Sequence, residues 1–179
     1  MISQTEETGS PSETSLPILE GYRAGLIGEI VTMHAETYSR WAGFGSAFEC
    51  TVARGLADFV TRLERPANGL WRAEREGRLL GSIAIDGEDL GDGSAHLRWF
   101  IVDPACRGAG LGQRLLEKAL DFTDRSGATE TRLWTLKGLE AARILYERAG
   151  FVLAKEYDGD QWGTPITEQI FLRRRGGSR

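Results

Sequence analysis

The sequence predicts a mixed α/β domain, with one central sheet and helices on both of its faces. Two observations support this prediction. After a helical N-terminal part, strand-like and helix-like segments follow one another in the order ββ-β-α-β-α-β-β up to residue 172. The length of 179 residues also suits one sizeable hydrophobic core and is too short for two comfortable domains.

The N-terminal part begins with a segment that has almost nothing to bury. Residues 1–16 are rich in Ser, Thr and Glu, which predicts a disordered leader. The segment Leu26–Arg40 is ambiguous, because its first residues (LIGEIV) suit a strand and its second half suits a helix. From Ser46 to Leu63 apolar residues recur at helical spacing, and Pro66-Ala67-Asn68-Gly69 then breaks the chain.

Three strand candidates follow in quick succession and predict an antiparallel meander. They are Leu70–Glu74, Arg78–Asp86 and Ser94–Val102. Arg75-Glu76-Gly77 links the first two as a short hairpin connection. A loop rich in Gly and Asp separates the second from the third.

Helices and strands alternate in the second half of the chain. A helix of about four turns starts at Leu111 and stops at Ser126-Gly127. A strand at Thr131–Thr135, a helix from about Leu139 to Ala149, and strands at Phe151–Tyr157 and Thr167–Leu172 complete the pattern. The C-terminal end is basic, and we interpret residues 174–179 as a solvated tail that follows a domain at residues 17–173.

Composition and charge argue against several classes of function. The formal net charge of −4 provides no basic field for a nucleic-acid backbone. The two cysteines, Cys50 and Cys106, and the two histidines lack the spacing of a zinc site, so no metal is predicted. No secretory signal or membrane-length apolar run is visible, so we expect a cytoplasmic protein with no membrane partner.

A glycine-rich segment, Arg107-Gly108-Ala109-Gly110-Leu111-Gly112, follows the apolar strand end Trp99-Phe100-Ile101-Val102 and is called the glycine turn below. Glycines let backbone N–H groups point inward with no Cβ in the way, and the helix that starts here adds about half a positive charge. Arg107 and Arg114 can add full charges. A pyrophosphate is the ligand that such a site fits.

Two better-known phosphate motifs do not match the glycine turn. A P-loop requires Gly-Lys followed by Ser or Thr, whereas Gly112 is followed by Gln113-Arg114. A Rossmann fingerprint requires an acidic residue at the end of the next strand, whereas Glu130 begins that strand. Dinucleotide binding and a turn that serves only chain geometry stay open as minor alternatives.

The glycine turn does match a third pattern, Arg-x-x-Gly-x-Gly, through Arg107, Gly110 and Gly112. The stretch LRWFIVDPACRGAGLGQRLLEKAL resembles the acetyl-CoA motif of the GNAT family of N-acetyltransferases, and AARILYERAGF resembles that family's second motif. More narrowly, GLIGEIVTMHAETYSRWAGF is similar to the acetyltransferase half of bacterial fusions with a helix-turn-helix regulator, although the leader is too short for us to expect that regulator here. The resemblance implies the acyl-CoA N-acyltransferase fold, with a mixed, mostly antiparallel sheet of about six or seven strands.

The resemblance also implies how acetyl-CoA, the co-substrate, is held. In this family two strands splay apart and pantetheine lies in the gap, a role that maps onto Phe100, Ile101 and Val102. The pyrophosphate would be held by the N–H groups of Arg107, Gly108, Ala109, Gly110, Leu111, Gly112 and Gln113. Many members have Asn where this chain has Leu139, so we expect either a lower affinity or a contact from the backbone of Leu136-Lys137-Gly138.

Tyr146 matches the tyrosine that family members often place near the CoA sulfur. A phenol with a pKa of about 10 can donate a proton to a departing thiolate with a pKa of about 8.5, which implies a general acid. Pure packing competes with this interpretation, because Leu139, Ala142, Leu145 and Tyr146 also make one apolar helix stripe.

The implied reaction is direct attack of a primary amine, on a small molecule or a peptide, on the acetyl group. An amine with a pKa of about 10.4 is almost fully protonated at pH 7, so a base or a desolvating site must help. Glu29, Glu49 and His96 are candidates, and no spacing singles one of them out. For Glu49 the alternative to a base is a position on a solvated helix surface. For His96 the alternative is a structural role in a strand.

The tryptophans are candidates for the wall of an acceptor site. Trp41 and Trp162 are predicted in loops, where exposed aromatic residues often mark binding. Trp99 and Trp134, on the two strands expected to flank acetyl-CoA, suit either the core or a pocket wall. The acidic loop Asp158-Gly159-Asp160-Gln161 favours a cationic acceptor.

Two other classes of function stay open on the sequence. One is a non-catalytic acyl-CoA-binding sensor, in which the glycine turn is intact and no base exists. The other is a partner-binding module that uses the basic tail. Many members of the family also pair through their last strands, so a homodimer is an expectation of the resemblance.

Overall fold

A computed structural model describes residues 16–175 of the chain. Most of the predicted leader and the last residues of the predicted tail, 176–179, lie outside the described residues. The described elements are β1 (Ile18–Glu20), α1 (Leu26–Ala42), α2 (Ser46–Val60), β2 (Gly69–Arg75), β3 (Arg78–Asp86), β4 (Ala95–Val102), a short 3-10 helix (Pro104–Cys106), α3 (Leu111–Ser126), β5 (Glu130–Leu136), α4 (Glu140–Arg148), β6 (Val152–Gly159) and β7 (Ile166–Arg174).

The seven strands form one sheet in the order β1-β2-β3-β4-β5-β7-β6. The pair β4–β5 is parallel, and the pairs on either side of it are antiparallel. The predicted meander is confirmed, and its hairpin turns on Glu76 and Gly77, with φ of 52° and 78°. Two residues with positive φ make the kind of turn whose twist matches that of the flanking strands. The mixed, mostly antiparallel sheet is as predicted.

Helices cover both faces of the sheet, which confirms the predicted fold class. On one face α1 and α2 bury Leu26, Ile30, Leu56 and Phe59 against the sheet. On the other face α3 and α4 pack over β2 to β5. The stripe predicted for α3 is buried at Leu111, Leu115, Leu116, Ala119, Leu120 and Thr123.

Helix α1 differs from one of the two interpretations of its sequence. LIGEIV is helical throughout, so the strand interpretation is wrong. Leu26, Ile30 and His34 are buried at a spacing of four residues, which places them on one helix face. Gly25 and Gly43 flank the helix with φ of 84° and 72°. Strand β1 was not predicted, because three residues are too few to show a periodicity.

The C-terminal arginines begin inside the sheet. Strand β7 continues to Arg174, which stands opposite Glu130 of β5. The Arg173 guanidinium donates to both carboxylate oxygens of Asp124 on α3, at 2.7 and 2.8 Å. This two-pronged contact ties the end of the chain to a helix on one face of the sheet.

Candidate active site

Strands β4 and β5 run side by side only at their first residues. Their pairing within the described residues ends at Leu97 and Leu133. Trp99 of β4 has a φ of 46°, which is unusual for a bulky residue, and the register between β3 and β4 shifts between Ser82 and Ala84. These features mark a β-bulge, which bends a strand. A gap therefore opens between the second halves of β4 and β5.

A long cleft of about 650 Å³ continues from this gap to the N-terminus of α3. Of the predicted site residues, those that line the long cleft are Phe100, Ile101, Val102, Arg107, Gly108, Gly110, Gly112, Gln113 and Tyr146. Ala109 and Leu111 belong to the glycine turn but do not line the long cleft. The side chain of Leu111, the first residue of α3, is fully buried in the core. The structure thus brings together the two ends of the predicted motif.

The glycine turn has the conformation that an anion site needs. Gly108 and Gly110 have φ of 83° and 80°, a region that side chains disfavour. Gly110 is the N-cap of α3 and supplies no side-chain cap, so the first N–H groups of the helix have no partner from it. Arg107 lines the long cleft, whereas Arg114 donates to the carbonyl oxygen of Leu16 and lies outside the lining.

Other polar groups of the long cleft also fit a ligand with amide and phosphate groups. The Thr37 hydroxyl is buried and has no hydrogen-bond partner within residues 16–175, and Thr37 lines the cleft. A buried polar atom of this kind is rare unless a ligand or water satisfies it. Of the segment Leu136-Lys137-Gly138, which was expected to replace the missing Asn, Gly138 alone lines the cleft, with a φ of 99° and next to Leu139.

A small pocket of about 200 Å³ adjoins the long cleft. Its lining consists of His34, Tyr38, Phe48, Val52, His96, Leu97, Arg98, Trp99, Phe100, Leu133, Trp134, Thr135, Leu136, Tyr146, Trp162 and Glu168. Tyr38, Phe100, Thr135 and Tyr146 line both cavities, so the two meet at these four residues. The junction is where a group carried along the cleft can meet a group held in the pocket.

The position of Tyr146 is compatible with both interpretations that the sequence left open. Its ring packs in the core beside Phe151 and Phe171, at centroid distances of 5.9 and 6.2 Å, and also reaches both cavities. Burial raises the pKa of Tyr146 far above its ordinary value, so the hydroxyl stays protonated. Tyr38 is a second phenol at the junction, and burial raises its pKa to about 12. Sequence reasoning missed Tyr38.

The three candidate bases lie in different places. Glu29 pairs with Arg23 at 2.8 Å and accepts the Leu79 N–H, and the hydrogen bond from Arg23 is the main reason that its pKa is lowered. Glu49 is exposed on α2 and lines neither cavity. His96 alone of the three lines the small pocket.

The environment of His96 keeps its imidazole uncharged. Its Nδ1 lies 2.5 Å from the Oδ2 atom of Asp89, and its ring centroid is 4.5 Å from that of Trp134. Burial lowers the pKa of His96 to about 4, although the Asp89 carboxylate acts in the opposite sense. The ring is therefore neutral at pH 7.

The tryptophans divide between core and cavity walls. Trp41 lies in α1, so its predicted loop position is wrong, yet it lines the long cleft. Trp162 lies in the loop between β6 and β7 and lines the small pocket, and its buried Nε1 has no hydrogen-bond partner in the described part of the chain. Trp134 lines the pocket, Trp99 lines it and also packs on Phe59, and Trp71 is buried in the core.

Glu168 is a further pocket residue that sequence reasoning missed. Its side chain is 3% exposed and accepts hydrogen bonds from Gln161 Nε2 at 2.5 Å and from the Tyr157 hydroxyl at 3.3 Å. The sequence TEQIF around it shows an ordinary strand, with no signal that this carboxylate faces a cavity. Only the pairing of β7 with β5 brings it to the pocket.

Two further findings concern metals and membranes. Within residues 16–175, no group of three or more His, Cys, Asp or Glu side chains is arranged to hold a metal ion. No helix in that part of the chain has the length and apolar character needed to cross a bilayer.

Comparisons with known proteins agree with this geometry. Two relatives are the N-acetylaspartate synthetase of Xenopus tropicalis, 31% identical over 104 residues, and the mycothiol acetyltransferase of Beutenbergia cavernae, 34% identical over 76 residues. These matches cover 58% and 42% of this chain but only 38% and 25% of the relatives, so the chain spans well under half of either protein.

Solved structures share the fold. The yncA structure from Salmonella typhimurium, with its cofactor acetyl-CoA, has a TM-score of 0.73 over 92% of this chain and 96% of its own, at 17% identity. An acetyltransferase from Staphylococcus aureus has a TM-score of 0.71 over 90% of this chain and 100% of its own, at 16% identity. Identities this low establish the fold alone.

The family assignment comes from the sequence itself. Residues 29–151, more than half of the chain, match the model of the acetyltransferase (GNAT) family. This range contains the bulged strand, the glycine turn and Tyr146. The chain belongs to the GNAT family of acetyltransferases.

Proposed function

We propose that the protein transfers the acetyl group of acetyl-CoA to a primary amine. The observation that carries this proposal is the gap between β4 and β5, which opens onto a glycine turn at a helix N-terminus. A strand edge without a partner offers hydrogen bonds to an amide-containing arm, and the helix N-terminus offers N–H donors to a pyrophosphate. Acetyl-CoA has both groups in this order.

Each predicted cofactor-binding residue then has a defined task. Phe100, Ile101 and Val102 hold pantetheine through their backbone. The glycine turn, together with Gln113, holds the pyrophosphate, and Arg107 adds the positive charge that Arg114 does not bring to the cleft. The backbone at Gly138 and Leu139 takes the place of the family's Asn side chain.

The reaction takes place at the junction of the two cavities. The amine nitrogen attacks the thioester carbonyl carbon, a C–N bond forms, and the C–S bond breaks. The sulfur leaves with the electron pair of the C–S bond, and the proton that the amine nitrogen loses balances the proton that the free thiol gains. Tyr146 acts as the general acid, since its hydroxyl lines the cleft at this point; burial raises its pKa, which weakens it as an acid but keeps it protonated until the thiolate departs.

The amine side of the junction needs a group that accepts a hydrogen bond. His96 is the candidate base that lines the pocket, and its neutral imidazole can orient an uncharged amine. A pKa of about 4 makes His96 a weak base, so desolvation in a small, mostly aromatic pocket supplies part of the ammonium deprotonation.

Calorimetry with CoA and a thiol-release assay over a panel of amines test this proposal. We expect CoA to bind and at least one primary amine to release thiol from acetyl-CoA in stoichiometry with acetylated product. Binding of CoA without thiol release from any amine would favour the sensor alternative instead. No binding of CoA at all would refute the proposed function.

We also propose a cytoplasmic protein with one acetyltransferase domain, predicted at residues 17–173 and extended by one residue to the end of β7 at Arg174, followed by a basic tail. A homodimer through the last strands fits the exposed edge of the sheet, where Val152 and Leu153 of β6 are 58% and 41% exposed. Sedimentation of the protein as a monomer at micromolar concentration would refute the dimer.

A further inference from the structure

The small pocket contains one carboxylate that has no cationic partner among the described residues. Glu168 is almost fully buried, and its two hydrogen-bond donors, Gln161 and Tyr157, are both neutral. Burying an anion without a counter-charge is costly, and neutral donors offset only part of that cost. Glu168 therefore has no counter-charge among the described residues.

The other ionisable groups of the pocket do not neutralise Glu168. Arg98 is held by Asp86 and Asp89 at 3.7 and 3.4 Å, and its guanidinium lies over the Trp99 ring at 4.2 Å. His34 is uncharged, because burial lowers its pKa to about 4, and His96 is uncharged for the same reason. The interior of the pocket is thus electronegative at its Glu168 end.

The walls around Glu168 suit a positively charged ligand. Phe48 and Trp162 meet edge to face at 5.3 Å, and Tyr38 lies 4.9 Å from Phe48. Aromatic faces attract ammonium and guanidinium groups, and more strongly in a desolvated site. The buried, unpartnered Trp162 Nε1 adds a donor for a polar atom of the same ligand.

The position of Glu168 separates it from the reacting centre. It stands opposite Leu136, so its side chain lies on the same sheet face as Leu136, which packs with Phe44 and Phe48. Strand β7 is one strand further from the gap than β5, a spacing of about 4.8 Å. Glu168 is also not among the four residues where the two cavities meet, so a cation bound at Glu168 can be a group other than the amine that attacks at the junction.

We infer that the acceptor is a small amine with a second positively charged group, and that Glu168 is the residue that selects it. The chemical class is a short aliphatic diamine or polyamine, with a few methylene groups between the reacting nitrogen and the cation at Glu168. This inference rests on the proposed function and adds the substrate class to it. Neither relative's name describes an acceptor of this class.

Steady-state kinetics with matched acceptors tests the inference. Diaminoalkanes with three to five carbons are compared with n-alkylamines of equal length at saturating acetyl-CoA. We expect kcat/KM to favour the diamines at least tenfold, as for a hydrogen-bonded charge pair in a buried site. Glu168→Gln should remove that preference by lowering kcat/KM for the diamines at least tenfold.

Glu156→Gln is the matched control. It removes a carboxylate from the neighbouring strand β6, where Glu156 pairs with Lys137 at 2.8 Å and does not line the small pocket. This variant should keep the diamine preference. The inference is overturned if Glu168→Gln keeps the parental ratio of kcat/KM for diamines to that for monoamines. It is also overturned if the parental protein prefers amines whose second group is uncharged or anionic.

A binding measurement on the parental protein tests the inference even if the Glu168→Gln variant does not fold. Tryptophan fluorescence of the parental protein with CoA bound should change on titration with 1,4-diaminobutane at a concentration at least tenfold lower than with n-butylamine. Equal affinities for the two amines refute the diamine site. If CoA binds in calorimetry but the amines are not distinguished, the substrate class is wrong and the proposed function stands; if CoA does not bind, the proposed function itself fails.

Discussion

Gly110 gives the sharpest test of the glycine turn, because the same helix offers a matched control. Gly110 precedes α3 with a φ of 80°, and Gly127 follows it with a φ of 85°. A Cβ added at either position meets nothing within 4 Å. Gly110→Ala and Gly127→Ala therefore have the same direct cost, the strain of an alanine in the left-handed region.

That strain is about 1–2 kcal/mol per residue. Each variant should lose about this much free energy of unfolding, or roughly 2–4 °C in Tm per kcal/mol for a chain of this size. The effects on CoA differ, because Gly110 lines the long cleft and Gly127 does not. A methyl group at Gly110 moves a phosphate away from first-turn N–H donors, and charge-assisted hydrogen bonds are worth about 1.5–3 kcal/mol each.

The expected result is a rise of at least about tenfold in the Kd for CoA with Gly110→Ala and no change with Gly127→Ala. Urea denaturation measures the two stabilities and isothermal titration calorimetry the two affinities. Equal CoA affinity in the two variants, whether both weakened or both unchanged, would show that the glycine turn is not the phosphate site.

Three further outcomes are expected. Tyr146→Phe should lower kcat about a hundredfold with unchanged affinity for CoA, whereas Tyr38→Phe should leave kcat nearly unchanged; the reverse pattern in thiol-release assays assigns the acid to Tyr38. His34→Leu should reduce the stability lost between pH 7 and pH 5 by about 2 kcal/mol in urea unfolding, because the unfolded chain binds a proton at His34 below about pH 6.5 and the folded protein, with a pKa of about 4, does not; an unchanged loss contradicts this. Arg62→Met should cost about 2–3 kcal/mol of unfolding free energy, since among the described residues it leaves the fully buried Asp86 with Arg98, at 3.7 Å, as its cationic partner beside the N–H groups of Glu88 and Asp89; a loss below about 0.5 kcal/mol in the same assay would show that the ion pair contributes no more than an exposed one.

The local features of this fold could be predicted from the sequence. The hairpin at Glu76-Gly77, the α3 stripe and the glycine turn depend on neighbouring residues, and a periodicity or a turn signal is visible in each. Helix α1 was only half predicted, because LIGEIV is apolar enough for a strand. The spacing of His34, Tyr38 and Trp41 along one helix face would have resolved it and would have pointed to Tyr38.

The small pocket could be predicted only in part. Trp99, Trp134 and Trp162 were candidates for its wall, but Glu168 joins them only through the order of the strands. Strand β7 lies between β5 and β6, so Glu168 stands beside Leu136, which is distant in sequence. Trp162 reaches the same pocket from the loop between β6 and β7, and Phe48 reaches it from α2. No local pattern marks a residue whose function depends on a non-local strand pairing.

The bulge at Trp99 links the two cavities physically. Its left-handed backbone is unfavourable for a tryptophan, so its surroundings must hold it. The buried Ser82 hydroxyl donates to the Trp99 carbonyl oxygen at 3.0 Å, and the ring lies between Arg98 and Phe59. The same bend that parts β4 from β5, and so opens the long cleft, also turns the Trp99 ring into the wall of the small pocket. Because one backbone feature shapes both cavities, a change that straightens β4 should weaken CoA and acceptor binding together, whereas a change at Glu168 should affect the acceptor alone.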